Sequence, residues 1–192
     1  MIEKAHNERC KACKRTVKEL LAAIFGHVEV NWNLGLSSRV EDFANLNTGT
    51  GDALRNIYDA LKECRGQENF VRSARLPRVD YFIPSANVIV EFDESQHFSK
   101  PRDVALSNYP PGLELGFSVH KWRSLCQALD KHDNDPPYRD EQRAWYDTLR
   151  DFAPGRLGSG RTIRLYSRDL VWCSLNPRSG SDLQRFRRTF VE

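Results

Sequence analysis

The sequence predicts an α/β fold, a mixed β-sheet flanked by helices in a single domain. Three observations carry that expectation. The chain has 192 residues, room for one hydrophobic core and little more. Segments of helical period stand on both sides of a central group of short apolar runs. Two of those runs, "VDYFI" and "VIVEFD", are separated only by "PSAN", a turn of hairpin type. The order of helices, antiparallel strands, helices and a last strand gives a mixed sheet with helices on its faces.

Taken in order, the chain reads as an N-terminal helical part (1–66), a motif-bearing sheet with helices (67–170) and a C-terminal tail (171–192). In "NERCKACKRTVKELLAAIF", Val17, Leu20, Leu21 and Ile24 form one apolar stripe, and Gly26 ends the helix. Residues 27–51 are polar with turn formers throughout and read as an inserted loop. "DALRNIYDALKEC" resumes helical period behind Asp52 as N-cap. Strands are expected at about 70–75, 79–83 and 88–93. "PRDVALSNYP", "SVHKWRSLCQALDKH" and "RDEQRAWYDTLRDF" read as three helices, "TIRLYS" as a final strand, and "LVWCSL" as a candidate for one more.

Composition narrows the function classes. A formal net charge of +3 and a pI of about 8.6 are too mildly basic to demand nucleic acid by themselves. Distribution says more: no Lys follows Lys131, while Arg recurs from Arg139 to Arg188. Arg forks onto phosphate oxygens, so an Arg-only half leans toward phosphate contact; a solvated surface explains it equally well. The start lacks an apolar signal core and no stretch reaches the length of a membrane span. Five cysteines, an odd number, suit a reducing cytoplasm. Cys126 and Cys173 sit in apolar contexts and read as buried small hydrophobes.

Acids interrupt the apolar hairpin at Asp80, Glu91 and Asp93. Alternate residues of a strand share a face, so Glu91 and Asp93 point together beside Ile89, and Val88, Val90 and Phe92 point the other way. Pairing through "PSAN" brings Asp80 within about one residue rise, roughly 3 Å, of that pair. Converging carboxylates repel and raise one another's pKa unless a hard divalent cation turns repulsion into coordination. Oxygen ligands without sulfur favour Mg2+ or Mn2+. The alternative for each acid is a turn cap or a pair with Arg75, Arg78 or Arg102.

"VDYFIP" with "NVIVEFDESQHF" resembles the PD-(D/E)XK nuclease superfamily, the restriction-endonuclease-like fold, and within it the branches of the very-short-patch repair endonucleases. The motif covers about residues 70–110, and the element order runs from Glu19 to Tyr166. The resemblance implies a metal-dependent endonuclease hydrolysing phosphodiester bonds in DNA, in restriction, defence or repair. Asp80 matches the motif Asp and Glu91 its acidic position, while Asp93 stands where the family usually has Lys. Asp93 would assist at the metal, Gln96 or His97 would position water or phosphate, and Glu19 on the first helix is a further metal candidate. Lys100, Arg102, Lys121 and Arg123 follow the acidic strand, and Arg102 and Lys121 are the candidate nucleic-acid contacts. The partner expected is nucleic acid, DNA first; a homodimer is compatible and a membrane is not. The rival reading is an inactive nucleic-acid-binding module of the same fold, because the motif Lys is missing.

"HNERCKACK" offers His6, Cys10 and Cys13 for zinc, with Cys64 as a fourth ligand. One C-x-x-C supplies half of a zinc tetrahedron. On a helix, Cys10 and Cys13 lie one turn apart, which fits partial burial as readily as ligation.

Overall fold

The computed structural model describes residues 7–43, 48–157 and 160–190. The strands are β1 (Glu29–Trp32), β2 (Val79–Ile83), β3 (Val88–Asp93) and β4 (Thr162–Tyr166), hydrogen-bonded in that order into one sheet. Neighbours are antiparallel from β1 to β3, and β4 runs parallel to β3. A parallel neighbour needs a crossover rather than a tight turn. That crossover carries α3 (Lys100–Ser107), α4 (Val119–Leu129) and α5 (Arg139–Arg156). Before it stand α1 (Lys11–Phe25) and α2 (Thr48–Arg65), and α6 (Gly180–Arg188) follows β4. The architecture is mixed α/β, as the element order predicts.

The two faces of the sheet differ in chemistry. On one, α1 lays Cys13, Val17, Leu20 and Leu21 against Tyr81, Ile83, Val88, Val90, Phe92, Ile163 and Leu165, with Trp172 and Phe186 completing the cluster. Leu20 and Leu21 are fully buried, and truncating either to Ala costs about 2–5 kcal/mol. Helix α1 stops at Gly26, whose φ of 84° suits glycine and whose N–H reaches the carbonyl of Ala22 at 2.9 Å. On the other face, α5 covers a sheet surface bearing Glu91, Asp93 and Arg164, all buried. There α5 is apolar only at Ala153, which packs on Val79 and Ile89.

Side chains cap the crossover helices. Ser99 Oγ accepts from the Arg102 N–H at the start of α3, and Ser118 Oγ from the Lys121 N–H at the start of α4. Gly116 donates its N–H to the carbonyl of Thr162 at 2.9 Å and bridges Ile163 along the outer edge of β4. A Cβ there would meet Ile163 Cγ1 at 2.8 Å and the Thr162 oxygen at 2.9 Å, closer than side chains pack.

Four expectations are corrected. Residues 27–51 are not a plain loop, since they supply β1, the third member of the antiparallel unit. The strand expected at 70–75 is absent apart from a single bridge between Ser37 and Arg75; Phe70 instead packs with Tyr58 and Trp145 in a second core around α2 and α5. "LVWCSL" forms a short 3-10 turn, Trp172–Ser174. Helix α2 also begins at Thr48, before Asp52.

Candidate active site

The pairing of β2 with β3 runs to Tyr81–Val90, and extending that register by one step brings Asp80 level with Glu91. Each carboxylate reaches across to the other strand. Glu91 Oε1 accepts from the Asp80 N–H at 3.3 Å, and Asp80 Oδ2 accepts from the Phe92 N–H at 3.0 Å. Side chains thus replace backbone carbonyls as acceptors at this end of the ladder, and both carboxylates are held against the strands rather than left to swing.

Their surroundings differ. Glu91 is 4% exposed. Burial pushes its pKa up to about 7; Arg150 opposes that rise and Asp80 adds to it. Arg150 Nε lies 3.5 Å from Glu91 Oε1 yet makes no hydrogen bond. Asp80 is more open, and its partner is Lys14, reaching over from α1 with Nζ at 3.3 and 3.5 Å from the two oxygens. The same ammonium lies 3.9 Å from Glu94 Oε1 and 5.7 Å from the centre of the Phe92 ring.

Asp80 opens onto a groove of about 480 Å³ between α1 and β1. Lys11, Lys14, Arg15 and Lys18 form its basic wall, and Val30 and Tyr81 lie across from them. Positions 11, 14, 15 and 18 follow helical spacing, so the stripe lies beside the apolar face that docks α1 on the sheet. Gln96 lines a neighbouring hollow with Glu8, Arg9 and Lys131, where its side chain bonds Glu94 at 3.1 Å and Arg9 at 3.4 Å.

Asp93 points elsewhere. Its oxygens lie 2.8 and 3.1 Å from Arg164 Nη1, and Oδ2 also accepts from Trp122 Nε1 at 2.7 Å. Arg164 binds Asp151 as well, at 2.8 Å, and Asp151 binds Arg102 at 2.7 Å. His97 Nδ1 sits 2.8 Å from Asp147 and 3.6 Å from Asp93. Burial acts to lower the His97 pKa, but Asp147 and Asp93 outweigh it and hold the imidazole above its ordinary value. Burial likewise acts to raise Asp147, and His97 with Arg164 drives it well below the carboxylate range. Glu91, Asp93, Asp147 and Asp151 thus lie among Arg102, Arg150, Arg164 and His97 beneath the sheet, and these pairings allow such burial.

Several sequence expectations need correction. Asp93 does not join the two other acids, because Arg164 and Trp122 take its oxygens. Arg102 is 1% exposed, bound to Asp151 and Tyr109, and out of reach of a phosphate. His97 is turned inward by Asp147 rather than toward the groove. Glu19 sits on the exposed side of α1, away from the sheet. Lys121 stays at the surface, 3.0 Å from Asp169, outside the groove. Of the Arg-rich half, Arg143, Arg150 and Arg164 pair with acids around α5 and β4, while Arg161, Arg185, Arg187 and Arg188 are exposed. The residues that sequence reasoning missed are Lys14 and the α5 acids Asp147 and Asp151. The only signal for the acids is their spacing of four, which puts both on one helix face with Arg164 in a facing strand.

Cys10, Cys13 and Cys173 converge with their sulfurs within 4.8 Å of one another and could hold a metal ion. Cys64 is not among them; at the end of α2 it neighbours Glu141, Lys100 and Arg65. Cys173 belongs to this cluster rather than being merely a buried hydrophobe. His6 lies outside the described residues. Burial pushes the Cys13 thiol up to about 12, with the neighbouring thiols contributing. No helix among the described residues is long and apolar enough to cross a membrane. Comparison with protein-family models, with curated proteins and with solved structures gave no match in any of the three.

Proposed function

We propose that this chain is a metal-dependent endonuclease of the PD-(D/E)XK kind that hydrolyses phosphodiester bonds in DNA. The observation that carries the reading is the linkage of Asp80, which opens onto a groove walled by four cations, to the buried Glu91 of β3, whose Oε1 accepts from the Asp80 N–H. Asp80 and Glu91 would hold Mg2+ or Mn2+. The donor set fits, because magnesium takes one or two protein carboxylates and completes its six oxygens with water and substrate phosphate. Such an ion supplies Lewis-acid polarisation of the phosphate and a bound water of lowered pKa.

The chain's own residues do the rest. Lys11, Arg15 and Lys18 bind backbone phosphates along the groove. Lys14 donates to an oxygen of the scissile phosphate and offsets the charge that develops there. It thus stands in for the lysine that β3 lacks, from a different element. Asp93, Arg164 and Trp122 position β3 from behind and touch no substrate.

The test is cleavage of a panel of duplex, nicked, mismatched and branched DNA, with RNA included, in Mg2+, Mn2+ or EDTA. Cutting is expected with either metal, none in EDTA and none from Asp80→Asn, with DNA binding retained. Binding without cutting on every substrate would favour the inactive-module reading, to which the lack of a β3 lysine gives its support. Neither binding nor cutting would end both.

A further inference from the structure

We propose that Cys10, Cys13 and Cys173 form a three-thiolate site for a zinc-class ion that ties the N-terminal end of α1 to the segment behind β4. The three sulfurs are already gathered from opposite ends of the chain, all within 4.8 Å. Zinc–sulfur bonds of about 2.3 Å in a tetrahedron place sulfurs about 3.8 Å apart. Side-chain adjustment of about 1 Å therefore closes the set around an ion without moving the backbone.

Each ligand has a structural reason to be where it is. Cys10 is the N-cap of α1 and Cys13 lies in its first turn, three positions on, so both sulfurs come off the same side of the helix end. Cys173 sits in the 3-10 turn Trp172–Ser174, against which α1 packs. Cys13 is buried while Cys10 and Cys173 are half-buried, so the cluster is anchored in the core and open on one side. A solvent donor can complete the fourth position from there. Three sulfurs without an oxygen select a thiophilic ion over magnesium or calcium.

The site stands whether or not the groove cuts DNA, but it bears on the groove. Lys11, Lys14, Arg15 and Lys18 are carried by the same helix, within two turns of Cys10 and Cys13. An ion at its first turn fixes that basic wall relative to the sheet. On binding, each thiol that is still protonated releases its proton to solvent.

The experiment loads the purified full chain with zinc, dialyses it against metal-free buffer and measures bound metal by mass spectrometry. Cobalt titration in parallel reads thiolate ligation from charge-transfer absorption. Wild type should keep one zinc per chain and give the cobalt band. Cys10→Ser is the informative variant, because Ser is a better helix N-cap and should preserve folding while removing a ligand. It should lose zinc affinity by more than about 100-fold, since losing even a partner that merely orients a ligand costs about 10–100-fold. Cys64→Ser should bind as wild type does. A wild-type chain with no zinc and no cobalt band would overturn the proposal, as would a Cys10→Ser chain that binds zinc like wild type.

Discussion

Glu91→Gln should make the metal-free protein less sensitive to alkali. With Glu91 at about 7 in the folded chain against an ordinary 4.5, the native state holds a proton that the unfolded state has released between those values. Stability must then fall as pH rises through that window. Integrating one site with those two values gives a loss of about 2–3 kcal/mol between pH 5 and pH 8. Gln keeps the side-chain volume and still offers an oxygen to the Asp80 N–H, but it cannot ionise. Urea unfolding in EDTA across that range should show the variant gaining about 2–3 kcal/mol on wild type from the acid to the alkaline end. His97, whose pKa is raised, also stabilises at low pH and loses that effect as pH rises, but it is present in both proteins and cancels in the difference. Adding Mn2+ should flatten the wild-type curve and leave the variant's alone. Parallel curves for the two proteins would refute the account of Glu91 as a carboxylate buried short of positive charge.

Arg164→Met should destabilise the fold by about 3–5 kcal/mol, because Asp93, Asp147 and Asp151 lose a shared cation in a buried site; denaturant unfolding within 1 kcal/mol of wild type would contradict the network described here. Lys14→Ala should slow cleavage by about 10²–10³-fold with little change in DNA affinity, and Lys14→Arg should recover part of the rate; unchanged turnover would remove Lys14 from the chemistry. Replacing Lys11 or Lys18 by Ala should each reduce the slope of log affinity for duplex DNA against log salt by about 0.9. A titration in which both variants keep the wild-type slope would place the DNA elsewhere. Arg102→Ala should leave that slope untouched and lower stability instead.

What could be read from the sequence was local. The bounds of β2 and β3 follow from alternation on either side of "PSAN", and so does the opposition of Asp80 to Glu91. The fate of Asp93 could not be read, because Arg164 lies 71 positions away and nothing in "TIRLYS" marks its Arg as buried. Arg102 and Asp151 present the same difficulty across 49 positions. Lys14 looked like an ordinary solvated lysine on an amphipathic helix, and only the docking of α1 reveals its carboxylate partner. Strand β1 escaped because its Val30 and Trp32 are exposed and its flanks are rich in turn formers. The false strand at 70–75 came from the apolar pair Phe70 and Val71, which pack against helices without joining a ladder.

The seating of Gly116 on β4 decides where this sheet can grow. Growth by strand addition requires a free row of amides and carbonyls at an edge, and at β4 part of that row is already occupied by a backbone that has no side chain to hold it off. The remaining outer strand is β1, only four residues long, with Val30 also forming part of the groove's lining. Among the described residues, β1 is therefore the freer edge for a second chain to join, beside the mouth of the basic groove. Self-association by that route and occupation of the groove by a long polyanion would compete for the same rim.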